Sequence, residues 1–356
     1  MHFLANSKPT VFDKLCSWLG SFLTDRVIHV VVDGVSSDSY PINAGVPQGS
    51  VLSPTLFLLH INDLLSVTQN SLHCFADDST LHSNYTSAKP ISSNEARQQR
   101  SLSTQSLISD LNFISRWGAD NLVMFNASKT QACIISNKKD STTPPVLMDN
   151  QSIKREQSFS LVGVTFTNNL IWHKHISNLA QAASKKLSFL FRAKQFFSSE
   201  NLLTLYKSQI RPTLEYCSHI WGSAPKSSLQ LLDSIQNRAM RLINDPELTK
   251  SLPPLSHRRA VGDLSLFYRY FFGDCSAEIS SLIPPIAVAR RNTRSAFNSH
   301  PYCVKLNTSR TAHYDWSFFP RVSKLWNSLP ASIFPPTFNL SLFKSQVNKH
   351  LLQHPS

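Results

Sequence analysis

Paired cysteines are absent from this chain of 356 residues. No C-x-x-C motif and no regular spacing relates the six cysteines, which are Cys16, Cys74, Cys133, Cys217, Cys275 and Cys303. Their scatter argues against a zinc knuckle and against a disulfide scaffold, so we expect thiols in a reducing compartment. The segments HPYC (300–303) and HLLQH (350–354) have ligand-like spacing, but each lacks the further ligands that a zinc site needs.

A long uninterrupted apolar run is missing too. The first residues, MHFLANSKPTVFDK, have no apolar core of the length that a secretory signal requires. The stretch LSPTLFLLHINDLL is interrupted by His60, Asn62 and Asp63, and it is too polar and too short to span a bilayer. We therefore expect a soluble, intracellular protein without a membrane partner.

Acidic residues are few and unevenly placed. The chain has 22 Asp and Glu against 35 Lys and Arg, a formal net charge of +13. Residues 1–172 hold 12 basic and 13 acidic side chains, residues 173–294 hold 17 and 8, and residues 295–356 hold 6 and 1. A near-neutral first half joined to a basic second half suggests a site-bearing domain followed by a domain that binds a polyanion. The alternative is a basic surface that serves only solubility.

Helix and strand patterns alternate in the first 82 residues. FDKLCSWLGSFLTDR predicts a helix with an apolar stripe of Leu15, Trp18, Leu19 and Phe22. VIHVVVDG and SYPINAG predict a β-hairpin with Asp33-Gly34 as its turn, and LHCFADDSTLH predicts strand, tight turn, strand. Residues 50–66 predict a helix that begins at Ser53-Pro54 and buries Phe57, Leu58, Ile61 and Leu65.

The remaining chain changes from mixed structure to helices. SLISDLNFISRWGADN predicts a helix, QACIIS a strand, the polar residues 137–158 a loop, and FSLVGVTF a last strand. From residue 175 helices dominate, the first with an apolar face of Ile176, Leu179, Ala183, Leu187 and Leu190 and a later one bent by Pro212. Beyond about residue 275, Pro, Ser and Asn become common, and we expect irregular structure.

Two adjacent carboxylates at a predicted hairpin tip carry the first chemical signal. Asp77 and Asp78 repel one another unless a cation lies beside them. Hard oxygen ligands on a rigid turn suit Mg²⁺, which keeps several waters and takes other ligands from substrate phosphates. The aromatic and β-branched neighbours in HCFADDSTLH suggest that this hairpin is embedded in the protein. A solvated turn without chemistry is the alternative.

The run AGVPQGSVLSP carries the second signal. Pro47 fixes the approach of the chain, and Gly49 lets backbone come close to a ligand. Ser50 lies where we expect free N–H groups of a helix start to point outward, toward a phosphate or a nucleobase edge. Gln48 adds an amide that both donates and accepts hydrogen bonds. An ordinary loop with a helix cap is the alternative.

Together the two stretches resemble a known family. GVPQGSVLSP followed by FADD, with Asp77 placed 29 residues after Gln48, resembles the palm of reverse transcriptases. SWLGSFLTDR, NDLL, FNASKTQACIIS and SLVGVTF…WHKHI narrow this resemblance to the non-LTR retrotransposons of the jockey type. SFFPRVSKLWNSLP resembles the carboxyl-terminal segment of such elements, so the resemblance covers nearly the whole chain.

The resemblance implies an α+β fold. Residues 1–172 would form part of a right-hand polymerase palm, an antiparallel sheet with helices, without the fingers and the first catalytic strand. Residues 173–275 would form a basic α-helical thumb, and residues 276–356 a largely irregular tail. Implied partners are an RNA template, a DNA primer and deoxynucleoside triphosphates, implied metals are Mg²⁺ or Mn²⁺, and the implied locations are cytoplasm and nucleus.

The resemblance also implies roles for single residues. Asp77 would be the firmest metal ligand, with Asp78 at a second metal or in support, and Lys129 would protonate the departing pyrophosphate. Val162-Gly163 would be the primer-gripping turn, although the family usually has leucine at the first position. The substrate-binding residues would be Pro47, Gln48, Gly49, Ser50, Phe75 and Ala76. The thumb residues that bind nucleic acid would be Lys185, Lys186, Arg192, Lys194, Lys207, Arg211, Arg238 and Arg241.

One element of the family pattern has no counterpart here. Polymerase chemistry uses two metal ions about 3.5–4 Å apart, and in this family a third aspartate, in an Ala-Phe-Asp pattern, bridges both. The nearest candidate, Asp13, lies five residues before Trp18 in the same predicted helix, so we expect a surface or capping residue. We expect an amino-terminally truncated copy, and three hypotheses stay open: a polymerase by descent, a non-catalytic remnant that holds RNA–DNA duplex, and a fragment that does not fold stably alone.

Overall fold

The computed structural model describes residues 13–42, 44–85, 92–136, 143–287, 300–306 and 311–354. The chain divides into two compact units, residues 1–157 and residues 158–356. This division does not test the predicted boundaries of palm, thumb and tail, which stay a prediction. None of the six cysteines, all of them within the described ranges, forms a disulfide.

The first unit begins with a helix and two hairpins. Helix α1 spans Asp13–Leu23, and β1 (Arg26–Ile28) pairs antiparallel with β4 (Tyr40–Ile42). Between them β2 (Val31–Val32) pairs with β3 (Val35–Ser36) across the predicted Asp33-Gly34 turn, where φ is +51° and +81°. Two positive φ values in a two-residue loop are typical of the turn that matches strand twist. The predicted helix and hairpin are confirmed, but α1 buries none of its residues.

The centre of the first unit is a helix, a hairpin and a long second helix. Helix α2 (Ser53–Ile61) continues into a 3₁₀ turn (Asn62–Ser66), followed by β5 (Ser71–Phe75) and β6 (Asp78–His82). Helix α3 spans Ser93–Asp120, and it begins with Ser92 and Glu95 in a reciprocal capping box. Ile61, Leu64, Ile114 and Trp117 form the buried core between these elements.

Two predictions for α2 are wrong in detail. Leu58 and Leu65 are exposed, whereas Leu56 and Leu64 are buried. The tightening from α-helix to 3₁₀ after Ile61 changes the angular step between side chains, so the regular helical spacing points to Leu65 where Leu64 is buried. Leu58 lies before this change, and it is exposed because the buried residues of α2 are Ser53, Leu56 and Ile61. Ser53 and Pro54 are the first two helical residues, and the capping position is Leu52, whose side chain makes no cap hydrogen bond.

Short strands complete the first unit. Strand β7 (Gln131–Ala132) pairs in parallel with β10 (Lys154–Arg155), and β8 (Leu147–Met148) pairs antiparallel with β9 (Gln151–Ser152). The loop predicted for residues 137–158 therefore contains three short strands, with residues 137–142 outside the described part. Met148 and Ile153 are buried, which explains why this polar segment is ordered locally.

The second unit opens with a hairpin, not the single strand predicted from FSLVGVTF. Strand β11 (Ser158–Leu161) pairs with β12 (Val164–Thr167), and Val162-Gly163 is the turn. Helix α4 (His173–Ala193) follows, with Ile176, Ala183, Leu187 and Leu190 buried as predicted. A 3₁₀ turn (Lys194–Phe196) ends this helix.

Helical segments of the second unit pack against α4. They are α5 (Ser199–Leu205), a π-helical turn (Tyr206–Ile210), α6 (Arg211–Glu215), α7 (Ser218–Trp221), α8 (Lys226–Ile243) and α9 (Pro246–Thr249). The π turn ends at Ile210, two residues before Pro212, which has no N–H to continue an α-helical ladder. The helix that was predicted to bend at Pro212 is interrupted near this residue. Trp221, Leu232 and Leu214 are fully buried in the shared core.

The predicted irregular tail is wrong for most of the described residues beyond 275. After α10 (Leu255–Phe271), helices α11 (Ala277–Leu282), α12 (Ala312–Trp316), α13 (Phe318–Asn327) and α14 (Leu340–Gln353) are ordered, with a 3₁₀ turn at Ala331–Ile333. An aromatic core holds α10, α13 and α14 together, in which Tyr268 stacks on Phe343 at 4.1 Å and Phe267 packs on Trp326 at 4.9 Å. Aromatic residues at long sequence separation create this core, and local composition does not reveal it.

The observed class is mixed helix and strand. The predicted antiparallel palm sheet is represented, in the ranges described, by separate two-stranded pairs, of which one is parallel. None of the described helices is both long and apolar enough to cross a membrane.

Candidate functional site

The turn at residues 47–50 is held by hydrogen bonds at its base. The Ser53 hydroxyl donates to the Pro47 carbonyl at 2.5 Å, and the Ser50 N–H donates to the same carbonyl at 3.3 Å. Gly49 has φ +86°, which glycine adopts without strain. Gln48 and Gly49 are exposed, so an amide side chain and bare backbone face solvent. The expectation that Ser50 presents a free helix-start N–H is wrong, because that N–H is used within the turn.

Arg26 fastens this segment to the preceding helix, a role that sequence analysis missed. Its Nη2 donates to the carbonyls of Ala44 and Gly45 at 3.0 and 2.7 Å, and its Nε donates to the Leu23 carbonyl at 3.0 Å. Leu23 is the last residue of α1, so one guanidinium donates both to a carbonyl at the end of this helix and to two carbonyls of the segment that leads into the turn. An arginine as the last residue of the predicted helix segment is the only sequence signal.

The aspartate pair lies at the tip of the β5–β6 hairpin. Phe75 pairs with Asp78 across the strands, which leaves Ala76 and Asp77 as the two turn residues. Ala76 has φ +51°, an unusual conformation for a residue with a side chain. Asp77 and Asp78 are both exposed, and the Phe75 side chain is 64% exposed. The predicted embedding of the tip is therefore wrong, whereas Leu72, Cys74 and Leu81 on the strands do pack on the core.

The donor set at this tip suits a hard cation only in part. Two exposed carboxylates offer hard oxygen ligands for Mg²⁺ or Mn²⁺, with water able to fill the remaining positions. Within the described ranges, no group of three or more His, Cys, Asp or Glu side chains is arranged to hold a metal ion. Asp13, the candidate for a further carboxylate, is exposed in the first turn of α1, as expected for a surface residue.

A buried carboxylate positions the β5–β6 hairpin that carries the aspartate pair. Asp110 on α3 is 1% exposed and accepts three hydrogen bonds, from the N–H of Gln69 at 2.9 Å and from the N–H and Nδ2 of Asn70 at 2.8 and 2.7 Å. Asn70 also donates to the Ser106 hydroxyl at 2.7 Å. Asn70 directly precedes β5, so α3 fixes the point where the hairpin leaves the core. The sequence shows only an acidic residue on an amphipathic helix and gave no hint of this role.

Lys129 lies on a separate turn of the first unit. The Asn126 side chain accepts from the N–H groups of Ser128 and Lys129 at 2.9 and 3.2 Å, an Asx turn that fixes the SKT segment. The Thr130 hydroxyl closes the turn by donating to the Asn126 carbonyl at 2.9 Å. The Lys129 side chain is exposed, so its amine is accessible on a rigid backbone.

The Val162-Gly163 turn is docked onto the helices of the second unit. The Tyr216 hydroxyl donates to the Val162 carbonyl at 2.9 Å, and the Thr165 N–H donates to Nδ1 of buried His175 at 3.1 Å. A Cβ on Gly163 would lie 3.3 Å from the Tyr216 ring, tighter than most such contacts. Burial lowers the pKa of His175, which keeps Nδ1 available as an acceptor.

The eight predicted thumb cations separate into three groups. Lys186 donates to the Gln209 carbonyl at 3.1 Å and to the Thr213 hydroxyl at 2.8 Å, and Arg211 lies 3.9 Å from Glu215. Lys186 therefore connects α4 with the π turn and α6, and Arg211 is paired within α6. Lys185 and Lys207 lie outside the groove that the other four cations share. That groove, here called the basic groove, is lined by Leu187, Ser188, Phe191, Arg192, Lys194, Arg238, Arg241 and Leu242 and has a volume of about 480 Å³.

A buried charge cluster connects further cations of the second unit. Arg321 donates to the Asp263 carboxylate at 2.5 Å and to the His219 carbonyl at 3.1 Å, and Asp263 is 2% exposed. Burial raises the pKa of Asp263, while Arg321 and Arg259 lower it. Arg258 is paired with Glu215, with one nitrogen–oxygen distance of 2.8 Å. These arginines hold the helices together and are not available to a ligand.

Comparisons with known proteins agree with the motifs. A family model described as reverse transcriptase (RNA-dependent DNA polymerase) matches residues 4–166. The chain is 31% identical over 235 residues to the RNA-directed DNA polymerase from mobile element jockey of Drosophila melanogaster, covering 63% of this chain and 24% of that protein. It is 28% identical over 238 residues to the probable RNA-directed DNA polymerase from transposon X-element of the same species, covering 64% and 25%.

A third relative extends the matched region slightly. The chain is 26% identical over 245 residues to the jockey polymerase of Drosophila funebris, covering 68% of this chain and 26% of that protein. The chain thus spans about a quarter of the length of the curated relatives it matches.

Proposed function

We propose that this chain, which belongs to the reverse transcriptases of jockey-like non-LTR retrotransposons, carries the metal-binding and primer-contacting part of an RNA-directed DNA polymerase. The observation that carries the proposal is the exposed Asp77-Asp78 pair at a hairpin tip whose base is fixed by Asp110. The substrates would be an RNA template, a DNA primer and deoxynucleoside triphosphates, met in the cytoplasm and the nucleus.

The proposed roles follow from where the side chains lie. Asp77 and Asp78 would hold Mg²⁺ or Mn²⁺, and the metal, when bound, neutralises triphosphate charge and activates the primer 3′-hydroxyl. The exposed Gln48 amide and the Gly49 backbone would contact the incoming nucleotide and the template base. Lys129, an accessible amine on a rigid turn, would protonate the departing pyrophosphate, and Val162-Gly163 would contact the primer.

We propose further that the isolated chain does not polymerise. Two closely spaced metal ions repel one another, and a bridging carboxylate offsets much of this repulsion. The described residues place no third acidic side chain in a metal-binding group with the aspartate pair. Two carboxylates can still retain one weakly bound cation, with water completing its coordination.

Primer extension tests the catalytic part of the proposal. Purified chain, with poly(rA) and an oligo(dT) primer in Mg²⁺, is expected to add deoxythymidylate no faster than its Asp77→Ala variant. Mg²⁺-dependent synthesis that Asp77→Ala abolishes would show that the isolated chain has a complete metal site.

Calorimetry tests the metal role of the pair without requiring activity. With Mn²⁺ and a deoxynucleoside triphosphate, the folded chain is expected to give a weak binding signal that Asp77→Asn removes and Asp78→Asn only lessens. Asp120→Asn, which removes an exposed carboxylate at the end of α3, is the matched control. Absence of heat from folded protein, or equal loss in both variants, would mean that the aspartate pair is a turn without a metal role.

A second function, nucleic-acid binding without catalysis, has its own support. Arg192, Lys194, Arg238 and Arg241 converge on the basic groove without an acidic lining residue. Affinity for an RNA–DNA duplex is expected to fall linearly in a log–log plot against salt, because each neutralised phosphate releases counterions. The Arg97→Gln/Arg116→Gln variant, which removes two exposed charges from the first unit, is expected to leave this salt slope unchanged. A flatter salt dependence in that variant would contradict the assignment of binding to the second unit.

A further inference from the structure

The basic groove is lined by both cations and apolar side chains, whereas binding of phosphates alone requires only the cations. Its four cations have no acidic partner among the residues that the structure describes, whereas Arg211, Arg258, Arg269, Arg321 and Lys324 all do. Like charges gathered without counter-charges raise one another's electrostatic energy, and an anionic ligand relieves this repulsion. The charge of the groove therefore favours a polyanionic ligand.

The floor and one wall of the groove are apolar. Leu187 and Leu242 line it, and Phe191, one turn after Leu187 on α4, is 58% exposed although it carries a large ring. The Lys194 amine lies 4.8 Å from the centre of the Phe191 ring, which holds a cation over one part of this wall. The ligand thus meets planar apolar surface between positive charges.

We infer that the basic groove binds single-stranded nucleic acid, with a base stacked on Phe191 and the flanking phosphates on Arg192, Lys194, Arg238 and Arg241. Only an unpaired strand offers free base faces and phosphates together, because the bases of a duplex stack on each other inside the helix. An acidic peptide would neutralise the cations but would leave the apolar floor without a partner. The inference rests on the proposed nucleic-acid-binding function and specifies which form of nucleic acid this groove takes.

Matched single-strand and duplex probes test the inference on the full chain. Fluorescence anisotropy would compare a fluorescein-labelled 12-nucleotide RNA of mixed sequence without self-complementarity with the same RNA annealed to complementary DNA. The chain is expected to bind the single strand more tightly at equal salt. Phe191→Ala is expected to lower single-strand affinity roughly five- to fifty-fold, the range for one stacked base, and to leave duplex affinity nearly unchanged.

Two control variants separate stacking from charge and from general damage. Phe189→Ala removes a ring from the same helix that is 66% exposed and does not line the groove, and it is expected to leave both affinities unchanged. Arg238→Gln/Arg241→Gln is expected to flatten the salt dependence, whereas Lys344→Gln/Lys349→Gln, which removes two exposed charges from α14, is not. Thermal unfolding of each variant checks that the fold is intact.

The possible outcomes distinguish the inference from the proposed function. Equal binding of both probes, with no effect of Phe191→Ala, overturns the inference and leaves nucleic-acid binding in place. Absence of binding to either probe by folded chain overturns both. Single-strand preference that depends on Phe191 and not on Phe189 supports the inference.

Discussion

At the scale of single residues, Asp110 determines where the aspartate hairpin leaves the core of the first unit. Its carboxylate accepts from three N–H groups of Gln69 and Asn70 at 2.7–2.9 Å and is 1% exposed. Bonds to an ionised acceptor are stronger than neutral ones, and a buried N–H left without an acceptor is strongly unfavourable. The geometry of a surface turn thus depends on one buried charge.

Asp110→Asn is expected to lower the free energy of unfolding of the first unit by about 2–3 kcal/mol, because the new amide nitrogen cannot accept from the donors it faces. Urea unfolding followed by hydrogen–deuterium exchange of the peptides around Trp117 measures this, since Trp117 lies in the core of that unit. Asp120→Asn, at an exposed position of the same helix, is the matched control. A change in Asp110→Asn no larger than in the control would contradict the positioning role.

His175 makes the second unit sensitive to acid. Burial lowers its pKa below the ordinary value of 6.5, so the folded state binds this proton less readily than the unfolded chain does. The contribution to stability is therefore complete above about pH 6.5 and is lost as the pH falls below it, until the pH passes the lowered pKa of the folded state. Burial likewise lowers the pKa of His219 and of His300.

His175→Asn is expected to flatten the pH dependence of unfolding between pH 7 and pH 5. Its Oδ1 can replace Nδ1 as acceptor for the Thr165 N–H, while the group that titrates is gone. Loss of the ring beside Trp221, at a centroid distance of 6.0 Å, should lower stability at neutral pH. Urea midpoints measured across this range test the slope, with His313→Asn at an exposed position as control. An unchanged slope in His175→Asn would rule out this histidine as the source.

At the scale of elements, the β11–β12 hairpin carries strain at its turn. Val162 has φ +45° and Gly163 has φ +76°. A left-handed conformation is unfavourable by about 1–2 kcal/mol for a residue with a side chain, and β-branched valine tolerates it poorly. The Tyr216 hydroxyl bonded to the Val162 carbonyl, together with the His175–Thr165 hydrogen bond, holds the turn against this strain.

Substitutions at this turn are expected to act in opposite directions. Val162→Asn should stabilise the second unit by about 1 kcal/mol, because asparagine accepts positive φ more readily. Gly163→Ala should destabilise it by about 1–2 kcal/mol, through its φ and through the close contact of a new Cβ with the Tyr216 ring. Tyr216→Phe should destabilise it by about 1 kcal/mol. Urea unfolding of the three variants gives their free energies of unfolding. A lower free energy of unfolding in Val162→Asn would contradict the inference that Val162 is strained.

At the scale of the whole molecule, the two units differ in how much apolar surface they bury. The second unit has two extended cores, in which residues such as Trp221, Leu232, Phe267 and Trp326 are fully buried. In the first unit the hairpins after α1 expose large apolar side chains, among them Val27, Val31, Val32 and Val35. Burial of apolar area is the main source of stability, so the second unit should be the more stable.

Hydrogen exchange on the full chain is expected to show this difference directly. Amides of α4 and α8, which line the helical core, should exchange slowest, and amides of residues 26–42 should exchange fastest among the described strands and helices. Mass spectrometry of peptides from the two regions provides the measurement. Equal protection of both regions would show that the first unit is stabilised by more than its described core.

The reach of the sequence can be judged from particular residues. The Asp33-Gly34 turn, the strand–turn–strand around Asp77 and the apolar face of α4 were all predicted, because each follows from a local pattern of period or turn chemistry. The hairpin at Val162-Gly163 was predicted as one strand from its local pattern, since valine at positive φ is a poor turn signal, and only the family resemblance implied a turn there. The tail was predicted as irregular, because its core joins Tyr268 with Phe343 and Trp326 over sequence distances that no local window covers.

The sequence by itself determined the resemblance to reverse transcriptases, the local elements of the first unit and the side chains that we propose for metal and nucleotide, because motifs of fixed spacing and turn-forming residues are local properties. Only the tertiary structure decided which cations are used internally and which face a groove. Lys186 became a contact between helical segments and Arg211 pairs with Glu215 within α6, whereas Arg192, Lys194, Arg238 and Arg241 line one groove with Phe191. The reason is that the sequence determines which residues are charged, whereas the residues around each charge are brought together only when distant helices pack.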